Sequence, residues 1–158
     1  MIVVAVGTFI HGYDELVQAA DHAAAALALD AFAQIGHSSV LPRHMQWERF
    51  LPRTALLERL HGCELLIAHA GVGLVRDAVE ARCRLLLVPR RGPNTPGHPI
   101  NDQRPFARKL ACHLPVTVCE QPADLVDWVK VALSRPAPDV ELPAFEAPRI
   151  IADYLMKI

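Results

Sequence analysis

The feature that most limits what this chain can fold into is an alternation of two apolar patterns. Short β-rich runs are each cut by Gly or Pro, and longer stretches with apolar residues at helical spacing follow them. Residues 2–6 form the first run, continuously apolar and rich in β-branched residues, as a strand buried on both faces requires. Gly7-Thr8 ends it. Residues 13–29 then place Leu16, Val17, Ala20, Ala24, Leu27 and Ala28 along one helical stripe on an alanine-rich background. The rhythm predicts further strands at 31–35, 46–51, 64–68, 85–88 and 116–119, with helices at 54–60, 74–81, 102–112 and 123–133. Gly36, Pro52 and Pro89 close three of those strands, and a glycine-rich turn at 69–73 joins the fourth to its helix. Such alternation belongs to an α/β domain with a Rossmann-like parallel sheet and helices on both faces.

The 158 residues suit one domain of this kind. Residues 1–134 hold the alternating pattern. Residues 135–158 are an arm with prolines at 136, 138, 143 and 148, leading into a short apolar helix predicted at 150–158. A net charge of −1 excludes a nucleic-acid binder that works by bulk electrostatics. Cys63, Cys83, Cys112 and Cys119 stand far apart with no C-x-x-C pair, the pattern of reduced, buried cytosolic thiols. The first apolar run has no basic flank and is too short for a signal peptide, and no stretch reaches membrane-spanning length. His11, His37, His44, His61, His69, His98 and His113 show no metal-ligand spacing, so no metal site is expected.

Four places carry possible chemistry. Gly7-Thr8 lies at the carboxyl end of the first strand, where open α/β sheets bind ligands and where Gly lets a phosphate approach the backbone. His69-Ala70-Gly71-Val72-Gly73 joins a strand to a helix, and its glycines free backbone amides at a helix N-terminus to face a diphosphate. It matches neither G-x-G-x-x-G nor a Walker A loop. A simple turn explains either glycine pair as well. Asp77, one turn further, is placed to accept ribose hydroxyls, with Glu80 an alternative on nearly the same face. His98-Pro99-Ile100-Asn101-Asp102-Gln103 follows a loop at 90–100 with three prolines and two glycines. Its amides both donate and accept, which suits sugar hydroxyls, although one of Asn101 and Asp102 also serves as a helix cap. His11, just past the first turn, is the one histidine placed as a candidate base, against the commoner fate of a surface histidine.

Taken together, the segments VAVGT, QIGHSS, LLIAHAGVGLVRDAVEARCRLLLVPR and HPINDQRPFARKLA resemble the C-terminal, donor-binding half of family 28 glycosyltransferases of the GT-B type. The resemblance extends to stand-alone catalytic subunits of two-component enzymes: bacterial exopolysaccharide glucuronosyltransferase subunits of the PssE type, and the eukaryotic subunit that adds the second N-acetylglucosamine to the dolichol-linked core. It implies that the HAGVG loop holds the diphosphate of a UDP-sugar and that Asp77 stands at the acidic position contacting ribose. It also implies that Asn101, Asp102 and Gln103 form the polar run near the donor sugar. Asp77 replaces the more usual Glu, and Arg82-Cys83-Arg84 replaces a Gly-Lys-Pro-like turn. The implied activity is sugar transfer from a UDP-sugar to a lipid-linked acceptor in surface-polysaccharide synthesis, with no cofactor beyond the donor. A membrane-anchored partner subunit would supply the acceptor half and hold the cytoplasmic chain at the inner face of the membrane. The helix at 150–158 would dock on that partner or fold back on its own domain. A non-catalytic nucleotide-binding subunit, regulatory or scaffolding, is the alternative, because the residues name no convincing base.

Overall fold

The computed structural model describes residues 1–92 and 101–140. The strands are β1 (Ile2–Ala5), β2 (Ala31–Gln34), β3 (Gln46–Glu48), β4 (Leu65–Ala68), β5 (Arg84–Leu87) and β6 (Thr117–Val118). All pair in parallel, in the order β3-β2-β1-β4-β5-β6. The helices are α1 (Asp14–Ala26), α2 (Arg53–Leu60), α3 (Val72–Glu80), α4 (Arg104–Ala111) and α5 (Leu125–Ser134), the last preceded by a 3-10 turn at Pro122–Asp124. The order runs outward from β1 to one edge and resumes at β4 on β1's other side. The carboxyl ends of β1 and β4 therefore flank the switch point, where open sheets of this class leave a crevice for ligands.

The strands separate two cores by simple alternation. Ile2, Val4, Leu65, Ile67 and Leu86 face α1 and α5, packing with Leu16, Val17, Ala20, Leu125 and Val129. Val3, Ala5, Leu66, Ala68, Leu85 and Leu87 face the other layer, packing with Leu60 of α2, Val75 and Ala78 of α3 and Ala107 of α4. Leu65, Leu66, Leu86 and Leu87 are fully buried, each worth about 1.5–3 kcal/mol in transfer free energy. Their near-continuous apolar strands follow from cover on both faces, while the edge strand β3 is exposed along its length.

Several element ends differ from the sequence expectation. Helix α1 stops at Ala26 because Ala28 turns left-handed (φ 50°), with Leu29 and Ala28 amides donating to the Ala24 and Ala25 carbonyls. β3 ends at Glu48, after which the chain leaves the sheet toward the crevice. α3 begins two residues early, at Val72, so Gly73 is helical. α4 begins at Arg104, because the Asp102 carboxylate folds onto the Arg104 amide (3.0 Å) and guanidinium (2.7 Å) ahead of the helix.

The four-thiol expectation is overturned: the structure pairs Cys63 with Cys83 as a disulfide, leaving Cys112 and Cys119 free. The register explains it. Leu65 sits opposite Arg84 in neighbouring parallel strands, so the residues entering β4 and β5 meet although 20 positions separate them. Only the strand order brings them together.

Residues 135–140 carry no helix or strand but lie on the domain. Arg84 Nε donates to the Arg135 carbonyl (2.6 Å), and Pro138 is buried. The rest of the arm, the helix expected at 150–158 and His98 fall outside the described residues. No helix among the described residues is long and apolar enough to cross a membrane.

Candidate functional site

Gly7 ends β1 with φ 76°, a left-handed conformation that glycine adopts without strain. Gln34, buried at the end of β2, fixes it from both sides: the Gly7 amide donates to Gln34 Oε1 (2.9 Å) and Gln34 Nε2 donates to the Gly7 carbonyl (3.1 Å). The same Nε2 donates to the Arg49 carbonyl (2.8 Å), tying in the chain that leaves β3. Below this turn lies the His69 imidazole. A Cβ on Gly7 would come within 2.6 Å of the ring, and one on Gly71 within 2.5 Å. These two glycines are thus required by packing, because one imidazole fills the space between both turns. Burial, reinforced by the charge of Arg90, pushes the His69 pKa down to about 4, so the ring is neutral at physiological pH. Its Nδ1 is buried with no hydrogen-bond partner among the described residues.

Gly73 differs. It sits in the first turn of α3 with open space where a side chain would project. Nothing in the fold requires glycine there, and a helical glycine costs roughly 1 kcal/mol relative to alanine. No side chain among the described residues caps α3, whose N-terminal end therefore presents amides and the positive end of the helix dipole.

One cleft, about 440 Å³, gathers half of the expected residues: Gly7, Thr8, His69, Gly71, Gly73 and Asp77 line it. Ala70 is buried beneath, and Val72 points outward, 69% exposed. The structure separates Asp77 from Glu80. Asp77 is buried against the cleft and accepts from Arg53 Nη2 at 2.5 Å, whereas Glu80 pairs with Arg76 (2.7 Å) on the outer surface. Sequence reasoning assigned no site role to Gln34, Phe50, Leu51, Arg53, Leu56 or Leu74, which complete the lining. A lone amide ending an apolar buried run marks Gln34. Phe50 and Leu51 read as the tail of a strand, and only the early end of β3 turns them toward the cleft.

The remaining expected residues gather across the loop after β1. His11 and Asn101 line a second cleft of about 540 Å³ with Phe9, Tyr13, Arg90 and Arg91. His11 is exposed and meets the Phe9 ring edge-on at 5.2 Å. Arg90 is the organising residue here. Buried at the end of β5, it donates to the Gly12 and Val6 carbonyls and lies 4.7 Å from the Tyr13 ring centroid. Burial lowers its pKa and pushes that of Tyr13 up to about 12, whose hydroxyl donates to the Pro89 carbonyl (3.0 Å). Gln103 joins the same frame, its amide donating to the Arg90 carbonyl (2.9 Å) and its Oε1 accepting from the Arg90 amide (3.1 Å). Asp102 is engaged by Arg104. Gly92 lies against Asn101, where a Cβ would come within 2.7 Å of the Asn101 amide.

A six-stranded parallel sheet in the order β3-β2-β1-β4-β5-β6, covered by helices, defines a Rossmann-like α/β domain. More narrowly, residues 1–141 match the glycosyltransferase family 28 C-terminal domain, and the chain belongs to that family. MurG of Acinetobacter baumannii is similar in structure, with a TM-score of 0.66 at 19% identity over 100% of this chain and 50% of that one. The calicheamicin glycosyltransferase CalG4 superposes with a TM-score of 0.63 at 19% identity, over 84% of this chain and 34% of its own. SnogD from Streptomyces nogalater gives 0.58 at 18% identity over 84% and 34%. These neighbours share the GT-B fold, and the chain spans a third to a half of their length. No curated protein matches the sequence.

Proposed function

We propose that this chain is the donor-binding catalytic subunit of a glycosyltransferase, moving a sugar from a UDP-sugar to a lipid-linked acceptor in surface-polysaccharide synthesis. The observation that carries the reading is Gly73: an unneeded glycine in an uncapped helix turn, facing the cleft that also holds Asp77. A diphosphate resting on the amides of residues 72 and 73 would place ribose toward Asp77 and the base against Phe50 and Leu51, the Gly71 amide being held by the His69 carbonyl (2.8 Å). The sugar would then reach the polar run at Asn101, Asp102 and Gln103. As the acceptor hydroxyl attacks the anomeric carbon, the bond to the diphosphate oxygen breaks, and the α3 amides stabilise the charge left on UDP. The hydroxyl proton passes to a base, for which His11 beside Asn101 is the candidate in this chain.

A membrane-anchored partner subunit would supply the acceptor-binding half and keep this chain peripheral at the cytoplasmic face. Apolar surface beside the clefts supports this: Ile10 (71% exposed), next to Phe9 and His11, and Val72 (69%), between Gly71 and Gly73, both stand in water. Calorimetric titration with UDP, UDP-glucuronic acid, UDP-N-acetylglucosamine and NAD tests the donor site, alone and with the co-purified partner. Selective binding of the UDP species is expected. Asp77→Ala and Gln103→Ala are each expected to weaken it about tenfold or more, the worth of one lost hydrogen bond to a charged or well-placed group. Unchanged affinity in both variants defeats the reading. Turnover that appears only with the partner separates a catalytic subunit from a scaffold.

A further inference from the structure

The cleft that holds Gly73 and Asp77 is short of positive charge. Of the described residues lining it, Arg53, His69 and Asp77 are the ionisable ones, and His69 is neutral at physiological pH. That leaves one cation and one anion, which pair with each other. A nucleoside diphosphate brings more than one negative charge, and the α3 amides answer it only with the partial charge of a helix end.

Arg53 is poorly explained by its own helix. It is the first residue of α2, whose first turn holds no acid, so its charge stands at the positive end of that helix dipole, where a cation is disfavoured. Nor is it built only to bury Asp77. Its side chain is 68% exposed against 7% for the carboxylate, and its bond from Nη2 to Asp77 Oδ1 (2.5 Å) leaves the rest of the guanidinium fork free. That bond fixes where the charge stands. Asp77 follows Gly73 by four residues, so the two share one face of α3, about 5–6 Å apart at Cβ. A helical side chain leans toward the N-terminus of its helix, which carries the Asp77 carboxylate over the turn that Gly73 leaves bare. Arg53 is thereby held beside the open space at Gly73, where a Cβ would meet no atom within 4 Å.

We infer that Arg53 is the cation that meets the donor diphosphate and neutralises it as UDP leaves. This rests on the nucleotide-site reading and adds a side chain from α2 where that reading uses backbone amides alone. As the acceptor oxygen bonds to the anomeric carbon, the electron pair of the broken bond stays on the diphosphate oxygen, and the acceptor proton goes to the base. Arg53 keeps its own proton and donates hydrogen bonds to that charge. Nη2 can stay on Asp77 while the other N–H groups turn to phosphate, and the carboxylate keeps lone pairs for the ribose hydroxyls.

Arg53 is exposed and Asp77 borders an open cleft where water can replace it, so substitution is expected to leave the fold intact. The experiment measures dissociation constants of UDP and of uridine, the weaker ligand by displacement, for the wild type, Arg53→Ala and Arg53→Lys. Arg53→Ala is expected to weaken UDP about tenfold or more, the worth of a hydrogen bond between charged groups, and uridine by less than about twofold. Arg53→Lys keeps the charge without the fork and is expected to recover part of the loss. Added salt is expected to weaken UDP more steeply in the wild type than in Arg53→Ala, because it screens an exposed charge. Two outcomes overturn the inference alone: UDP affinity in Arg53→Ala within about threefold of the wild type, and equal weakening of UDP and uridine, which would make Arg53 a support for Asp77. Failure of every protein to bind UDP would overturn the nucleotide reading and this inference with it. Equal melting temperatures in the three proteins confirm that the comparison is made on folded protein.

Discussion

At the scale of single residues, the cleft separates glycines the fold needs from one it does not. Gly7 and Gly71 close over the His69 ring and leave no room for a Cβ, so their substitution tests packing before it tests binding. Gly73 has open space, and alanine there gains helix propensity. Gly73→Ala is therefore expected to hold or raise stability, by roughly 0.5–1 kcal/mol. In the same protein UDP affinity is expected to fall tenfold or more, because a methyl group enters the surface on which the diphosphate rests. Urea denaturation and calorimetry on one preparation check both halves. A variant that is stabilised and binds UDP normally removes the phosphate role of α3. The contrast was only partly legible: H-A-G-V-G displays two glycines in one turn, and nothing in the residues says that one answers to an imidazole and the other to solvent.

At the scale of elements, nearly every strand and helix is readable because this architecture imposes contrasting periods on its strands and helices. β1 and β4 are apolar throughout since both faces are covered, while α1 shows a one-sided stripe. The helix ends resist reading, since they depend on backbone conformations that the sequence does not favour. Ala28 follows Leu27, the C-cap of α1, and Arg82 follows Ala81, the C-cap of α3, both left-handed (φ 50° and 53°), at a position where glycine is usual. The chain-reversal bonds form regardless, Cys83 to Ala78 (2.9 Å) and Leu29 to Ala24 (2.9 Å). Both non-glycine residues therefore carry about 1 kcal/mol of conformational cost. Ala28→Gly, which breaks no ion pair, is expected to raise stability by about that amount, seen as a melting temperature higher by roughly 2–4 °C. An unchanged or lower melting temperature would mean that α1 ends by some other geometry. Site residues such as Arg53 and Gln34 escaped for a related reason. Arg53 reaches Asp77 across 24 positions and Gln34 reaches Gly7 across 27, contacts that exist only once the sheet order is set.

At the scale of the whole molecule, one half-buried ring links the folding equilibrium to pH. The His69 pKa is held at about 4 in the fold, against an ordinary value of 6.5. Between those values the unfolded chain binds a proton at this ring and the folded chain does not, so acid favours unfolding. Stability from this group is complete above about pH 6.5 and is lost as pH falls toward 4, by about 3 kcal/mol in all. The same neutrality bears on function: at physiological pH the ring brings no fixed charge beneath the glycine turns, which leaves the α3 amides to meet a diphosphate. Urea denaturation of the wild type and His69→Leu at pH 7 and pH 4.5 isolates the effect, since carboxylate titrations are common to both proteins. The wild type is expected to lose about 2–3 kcal/mol more than the variant over that interval. Proton resonances of the ring are expected to stay unshifted from pH 8 to about 5. Titration near 6.5, with parallel stability curves, would show that the ring is solvated, and Gly7 and Gly71 would then need the phosphate explanation that His69 otherwise makes unnecessary.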